Sequence, residues 1–169
     1  ALGAAALNGV PKGGTVLLLD SLPGDNGIRE RMEAAKAVLE REGRQARVYK
    51  WDPDTIALPD ILRIERPRAI IAFEAAALAD VAELSRGEDT FPLLYGCGST
   101  SGIAAALEKG RVTAITAVNV FSAGYLAVEA AAALARHEDW TAAAPVAFSI
   151  VRQETMYDSD NQKLLFPVT

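Results

Sequence analysis

Scarcity carries the first information in this chain. A single cysteine, Cys97, stands among 169 residues, so no disulfide closes within the chain and no multi-cysteine metal site can form. The single histidine, His137 in "ARHEDW", has no second histidine with which to share a ligand. At the end of a helix, a place near the dipole is reason enough for it. Positive charge is also short: 17 Lys and Arg against 22 Asp and Glu give a net charge of −5, and the basic residues form no stripe. That argues against nucleic acid and anionic membrane as partners. No apolar run approaches the ~20 residues of a membrane span. The opening "ALGAAALNG" lacks a basic flank and a cleavage pattern, and reads as the end of a helix instead of a secretion signal. This does not fix location, because a chain that begins with alanine is open to being a processed form or an excised piece.

What is present is a core. Half of the residues are apolar, enough for one domain of this length. Continuous or alternating apolar runs predict strands over 15–21, 44–50, 67–74, 91–96, 111–119 and 144–152. Between them lie helical patterns. The first, about 28–42, carries Ile28, Met32, Ala35, Val38 and Leu39 at helical spacing, with Asp25 or Asn26 placed to cap it and Gly43 to stop it. A helical segment over 52–65 is expected to break at Pro59, and the tail from Gln153 shows no regular period. Strict alternation of strand and helix predicts a parallel sheet covered on both faces, with right-handed crossovers.

In such sheets ligands gather at the carboxyl ends of the strands. That rule selects Asp20 and Ser21, Arg29, Glu74, the loop within "LYGCGSTSG" (94–102) and Asn119. The loop admits three readings. As a phosphate cradle it lacks the lysine of a P-loop, and Glu74 on the same edge would repel an anion. As the seat of a nucleophile, Cys97 could gain from a helix N-terminus but has no base or resolving partner nearby; a small α/β enzyme using Cys97 is the alternative from another class. As a ligand-facing loop it suits an uncharged polar molecule. Arg29 can pair with Glu33 one turn on or donate a fork of hydrogen bonds to a ligand. Glu74 and Asn119 can each cap the following helix or contact the ligand. One cation, one carboxylate and one amide at adjacent strand ends suit a polyhydroxylated ligand. No catalytic residue, metal or cofactor is expected.

The segments "LLLDSLPGDNGIRERMEAAKAVLEREG", "AIIAFEAAALADVAEL" and "ALEKGRVTAITAVNVFSAGYLAVEA" resemble, in order and spacing, the second lobe of type I periplasmic binding proteins. Sensor domains of lactose-repressor-like regulators share that fold. The resemblance covers about residues 1–152. It implies a three-layer, doubly wound, mostly parallel sheet of strand order 2-1-3-4-5, with 1–143 forming the lobe and 144–169 a crossing strand and tail. It further implies binding of a sugar or similar small polar ligand for ABC-type uptake, or ligand sensing in a regulator. The location implied is extracytoplasmic, or cytoplasmic for a regulator. Arg29 in "GIRER" matches a family arginine on the ligand, and Glu74 matches the polar residue after the third strand. The aspartate of a "GFDG"-like loop is replaced by Gly98, so that its bond to a sugar is either lost or passes to Ser99 or Thr100, and Asn119 lies near the polar residue before the "GY" helix. Asp20 completes the expected set.

The implied partners are a first lobe, a membrane permease and the ligand, with no nucleic acid. Arg29, Glu74, Ser99 and Asn119 are expected along one sheet edge. One lobe alone is expected to bind weakly. The apolar tail, Leu164 to Val168, can fold back on its own lobe or pack on a neighbouring copy, and a homodimer, or a tail exchanged between copies, is expected.

Overall fold

A computed structural model describes residues 1–51, 58–88, 90–141, 146 and 148–166 of the chain. Strand β1 (Thr15–Asp20) has its four central residues fully buried, and all of β3 (Ala69–Ala72) is buried. That is the pattern of strands with both faces covered. β4 (Leu93–Cys97) and β5 (Ala114–Val118) extend the sheet on one side, and β2 (Gln45–Lys50), largely exposed, forms the far edge. The order is β2-β1-β3-β4-β5-β6. The five-strand order 2-1-3-4-5 therefore holds, with β6 (Phe148–Val151) added antiparallel to β5, Val151 opposite Ile115 and Phe148 opposite Val118. The first five strands are each shorter than the apolar runs that predict them; residues 144, 145 and 147 of the sixth run lie outside the described ones.

Odd and even residues of each strand go to opposite layers. Val16, Leu18, Ile71, Phe73 and Tyr95 pack under α1 (Leu2–Leu7) and α2 (Asn26–Arg41). Leu17, Leu19, Ile70, Leu94 and Ile115 pack under α4 (Ala75–Leu84) and α5 (Ser101–Glu108). α1 and α2 approach closely where Gly3 faces Ala35: a Cβ at Gly3 would lie 2.9 Å from the Ala35 carbonyl oxygen. The expected stop at Gly43 is made, with φ +75° and Arg44 N–H reaching back to the Leu39 carbonyl at 2.9 Å.

Two expectations change. Pro59 does not break a helix; it lies in the first turn of α3 (Leu58–Glu65), where its missing N–H has no intrahelical partner to lose. Residues 52–57 of that expected segment lie outside the described ones. The tail is not aperiodic: a 3-10 turn (Gln153–Thr155) leads to α7 (Ser159–Leu165). Two turns are too few to show a period, but burial of Met156 and Leu165 in the α4–α5 layer holds them. The described part of the tail packs onto its own lobe, with Leu165 buried and Leu164 against the same cluster. Phe166 stacks on Tyr157, ring centroids 6.3 Å apart and 11° from parallel. Pro167 and Val168 lie outside the described residues, as does the division between 143 and 144.

Helix α6 (Val120–Ala135) stands apart. Only Ala133 is fully buried, although the helix is apolar on every side.

Candidate functional site

Because β1, β3, β4 and β5 are parallel, their carboxyl ends meet on one edge, and α2, α4, α5 and α6 each begin there. Helix starts leave N–H groups without intrahelical partners, and side chains at this edge meet them. Asp25 accepts from Ile28 N–H at 2.7 Å. Glu74 accepts from Ala76 N–H at 2.8 Å and Ala77 N–H at 3.1 Å, one through each carboxylate oxygen. Thr100 accepts from Ile103 N–H at 3.4 Å and Asn119 from Ser122 N–H at 3.0 Å. The capping alternatives for Glu74 and Asn119 are thus realised, and Thr100, expected at the ligand, is the cap of α5.

Capping leaves other valences of these groups open. The Asn119 side chain caps through its oxygen, so its amide N–H groups are not used by the cap. Glu74 takes a further weak bond from the Ser21 hydroxyl at 3.5 Å, which ties the β1 and β3 loops together. Asp20 closes β1, its carbonyl accepting from Trp51 N–H at 2.8 Å. Among the described residues its carboxylate has no hydrogen-bond partner. Arg29 does not pair with Glu33: its Nη2 donates to Asn26 Oδ1 at 2.8 Å, one turn back. The order Arg before Glu is the weaker one for a pair four residues apart. Sequence reasoning missed Asn26 in this role; the three-residue spacing was the signal available.

The "GCGST" loop is shaped by close packing. A Cβ at Gly96 would come within 2.7 Å of the Leu78 methyls, so glycine lets α4 lie against β4. Gly98 has φ +123° and its missing Cβ would fall 2.8 Å from that of Ala75. An aspartate in its place would be strained, which is the local reason the "GFDG" pattern is not met here. Gly98 N–H donates to the Thr116 carbonyl at 3.1 Å, and the Thr116 hydroxyl donates to Cys97 Sγ at 3.2 Å. Half-buried Ser99 then turns the chain into α5. His137 follows the far end of α6, about 24 Å of helix away from the edge, so it offers Cys97 no base.

All six expected residues, Asp20, Arg29, Glu74, Ser99, Thr100 and Asn119, therefore belong to the same edge, with Arg29 set back in the first turn of α2. The arrangement is an open wall of donors and acceptors. An anion there would meet Asp20, Asp25 and Glu74 with Arg29 as counterweight; a neutral polyol meets no such opposition. A cavity of about 740 Å³ sits at the amino edge, lined in part by Arg66, Arg68, Phe91 and Pro92. Among the described residues no group of three or more His, Cys, Asp or Glu is placed to hold a metal, and no helix is long and apolar enough to cross a membrane.

A model of the periplasmic binding protein domain matches residues 1–139. No curated protein matches the chain. Among solved structures, an ABC transporter solute binding protein from Agrobacterium vitis with bound D-fucose superposes with TM-score 0.83 at 14% identity, covering 98% of this chain and 60% of that one. A carbohydrate transporter solute binding protein from Agrobacterium radiobacter, in complex with D-arabinose, gives 0.83 at 16% identity, covering 97% and 59%. A periplasmic ribose ABC transporter structure from Conexibacter woesei gives 0.75 at 18%, covering 96% and 59%. At such identities the likeness is one of fold. The chain spans about 60% of the length of these structures.

Proposed function

Because the chain belongs to the periplasmic binding protein domain family, we propose that it is one lobe of a solute-binding protein for ABC-type uptake, holding a sugar or similar small polar ligand at the carboxyl edge of its sheet. The observation that carries this reading is the open polar wall, where Arg29, Glu74, Ser99 and Asn119 gather without any enclosed cavity between them. A wall needs a facing surface. Good pockets bury roughly 70–90% of a small ligand, and an open edge covers one side only. The facing surface is a first lobe, and closure of the two around the ligand is what a permease would read. Such a protein works outside the cytoplasm.

In this arrangement Arg29 donates through the guanidinium N–H groups that Asn26 leaves unused. Asn119 donates through its amide, and Ser99 gives and accepts through its hydroxyl. Glu74 and Asp20 accept from ligand hydroxyls. Nothing is bonded or broken, so Cys97 has no role in it.

The test is a titration of the chain with D-fucose, D-arabinose and D-ribose, followed by amide shifts in nuclear magnetic resonance. The expected result is weak, saturable binding with shifts at Ser99 and Asn119, diminished in Arg29→Ala, an exposed position whose loss leaves the core intact. Shifts at the amino-edge cavity instead, or none anywhere at high millimolar sugar, would overturn the reading.

A further inference from the structure

Segment 119–147 leaves the sheet and comes back to the same corner. β5 ends at Val118, which lies opposite Phe148 at the start of β6, so both ends of the excursion are fixed at the carboxyl edge. Between them α6 runs out, and the chain reverses at His137 (φ +58°), where Glu138 N–H closes on the Ala133 carbonyl at 2.9 Å. Among the described residues α6 makes no extended contact with any strand or helix of the lobe. A helix of this length is marginal in water by itself, and one that is apolar all round belongs in an interior.

The bare side is too wide for one flat neighbour. Leu134, Val120, Ala131, Val128, Phe121 and Tyr125 are exposed and follow one another round an arc of about 180° at 100° per residue. Partly buried Ala132 alone interrupts the arc, and no charge falls within it; Glu129 lies beyond its edge. A helix lying on one surface turns a stripe of roughly 100° toward it. Half a circumference is covered when the helix lies in a layer, with a sheet beneath it and another helix at its side. A second copy has no such layer to offer, because the central strands β1 and β3 of its sheet are already buried on both faces. The solved structures point to another cover. The Agrobacterium vitis protein superposes on 98% of this chain, too much to leave out a helix of 16 residues, and this chain covers only 60% of that one. A helix placed as α6 is there shares its molecule with a large remainder that has no counterpart here.

Resting on the reading of this chain as one lobe of two, we infer that α6 is buried in the facing lobe: the chain leaves this lobe at Asn119, sets α6 into an apolar layer of the first lobe, and returns at Phe148. The excursion starts and ends on the edge that the first lobe faces, so the docked helix is continuous with the surface that closes on the ligand. The boundary between the lobes then falls at Asn119 and Phe148 instead of at 143. Asn119 both caps α6 and lines the wall, so docking of the helix also fixes one contact of the ligand. Glu74 and Thr100 differ in this respect, because the helices they cap bury their apolar faces on this lobe.

Val128→Cys and Ile64→Cys, both in a Cys97→Ser background, compare two positions that are each 71% exposed. In this chain alone a water-soluble maleimide should label both at similar rates at every protein concentration. In the longer chain, with the first lobe joined, Val128→Cys should react on the order of 100-fold more slowly, and Ile64→Cys as before. A chain with 120–147 replaced by two glycines, a short turn between paired strands, should keep the urea midpoint of the whole chain. A lower midpoint would overturn the inference by placing α6 on its own lobe. So would protection of Val128→Cys that rises with the concentration of this chain, the mark of a second copy. Fast labelling of Val128→Cys in a longer chain that binds D-fucose, D-arabinose or D-ribose tightly would overturn it too, and would leave the two-lobe reading standing. A gene that encodes no second lobe would remove that reading and the inference together.

Discussion

Helices α2 and α6 are each 16 residues long, and each leaves the carboxyl end of a strand behind a side-chain cap. Seven residues of α2 are charged against one of α6. Yet it is α2 that is anchored, burying Ile28, Met32, Ala35 and Leu39, while α6 buries Ala133 alone. What anchors a helix is direction, not total apolarity. In α2 the apolar residues recur at one angle in a polar background, so one face alone can turn inward. α6 has apolar residues all round and no polar face to fix its rotation. It leaves a stripe uncovered whichever side it turns.

Truncation breaks this comparison most sharply. Leu39→Ala should cost about 2–5 kcal/mol, as large-to-small changes in close-packed cores do. Val128→Ala, at concentrations where the chain is a single copy, should change stability by less than about 0.5 kcal/mol. Urea unfolding of both reads the difference, and equal losses would mean that α6 is buried in solution. The caps give a finer contrast. Asp25→Ala should lower global stability by about 1 kcal/mol, since α2 is fixed to the sheet. Asn119→Ala removes a cap of the same kind from a loosely held helix. It should appear as faster hydrogen exchange in the first turn of α6 with the global midpoint unchanged.

The smallest effect comes from α7, a third and intermediate case. The Tyr157 hydroxyl donates to the Glu108 carboxylate, and that bond, followed by burial, raises the Tyr157 pKa above its ordinary 10.0. A raised pKa in the folded state means that the unfolded chain loses this proton first. The contribution is full below pH 10.0 and fades as pH climbs through the higher folded value. Wild type and Tyr157→Phe should therefore converge in stability only in that alkaline range. A gap that persists unchanged would show that the bond is not what holds the tail.

The sheet was legible because buried parallel strands write themselves as short apolar runs, and "TVLLLDS" and "AIIAFE" admit little else. The edge was legible because strand ends in such a sheet share one side, which brought Asp20, Glu74 and Asn119 together before any coordinates. Whether Glu74 caps or binds could not be read, since one carboxylate at one position serves both and only distances separate them. α7 was hidden because Leu164 and Leu165 make one contact stripe in too few turns for a period. The bareness of α6 was hidden for the opposite reason: a helix apolar on every side gives no hint of which side stays wet.

The caps at the carboxyl edge have a further consequence, for how such a wall can change over time. Glu74, Thr100 and Asn119 are each the last word of a turn and the first of a helix, so replacing one to suit a different ligand also unpins the helix behind it. Arg29 and Ser99 cap nothing. Drift in ligand preference, or deliberate redesign of it, meets least resistance at those two positions and most at Glu74, which ends two N–H vacancies and also ties in Ser21.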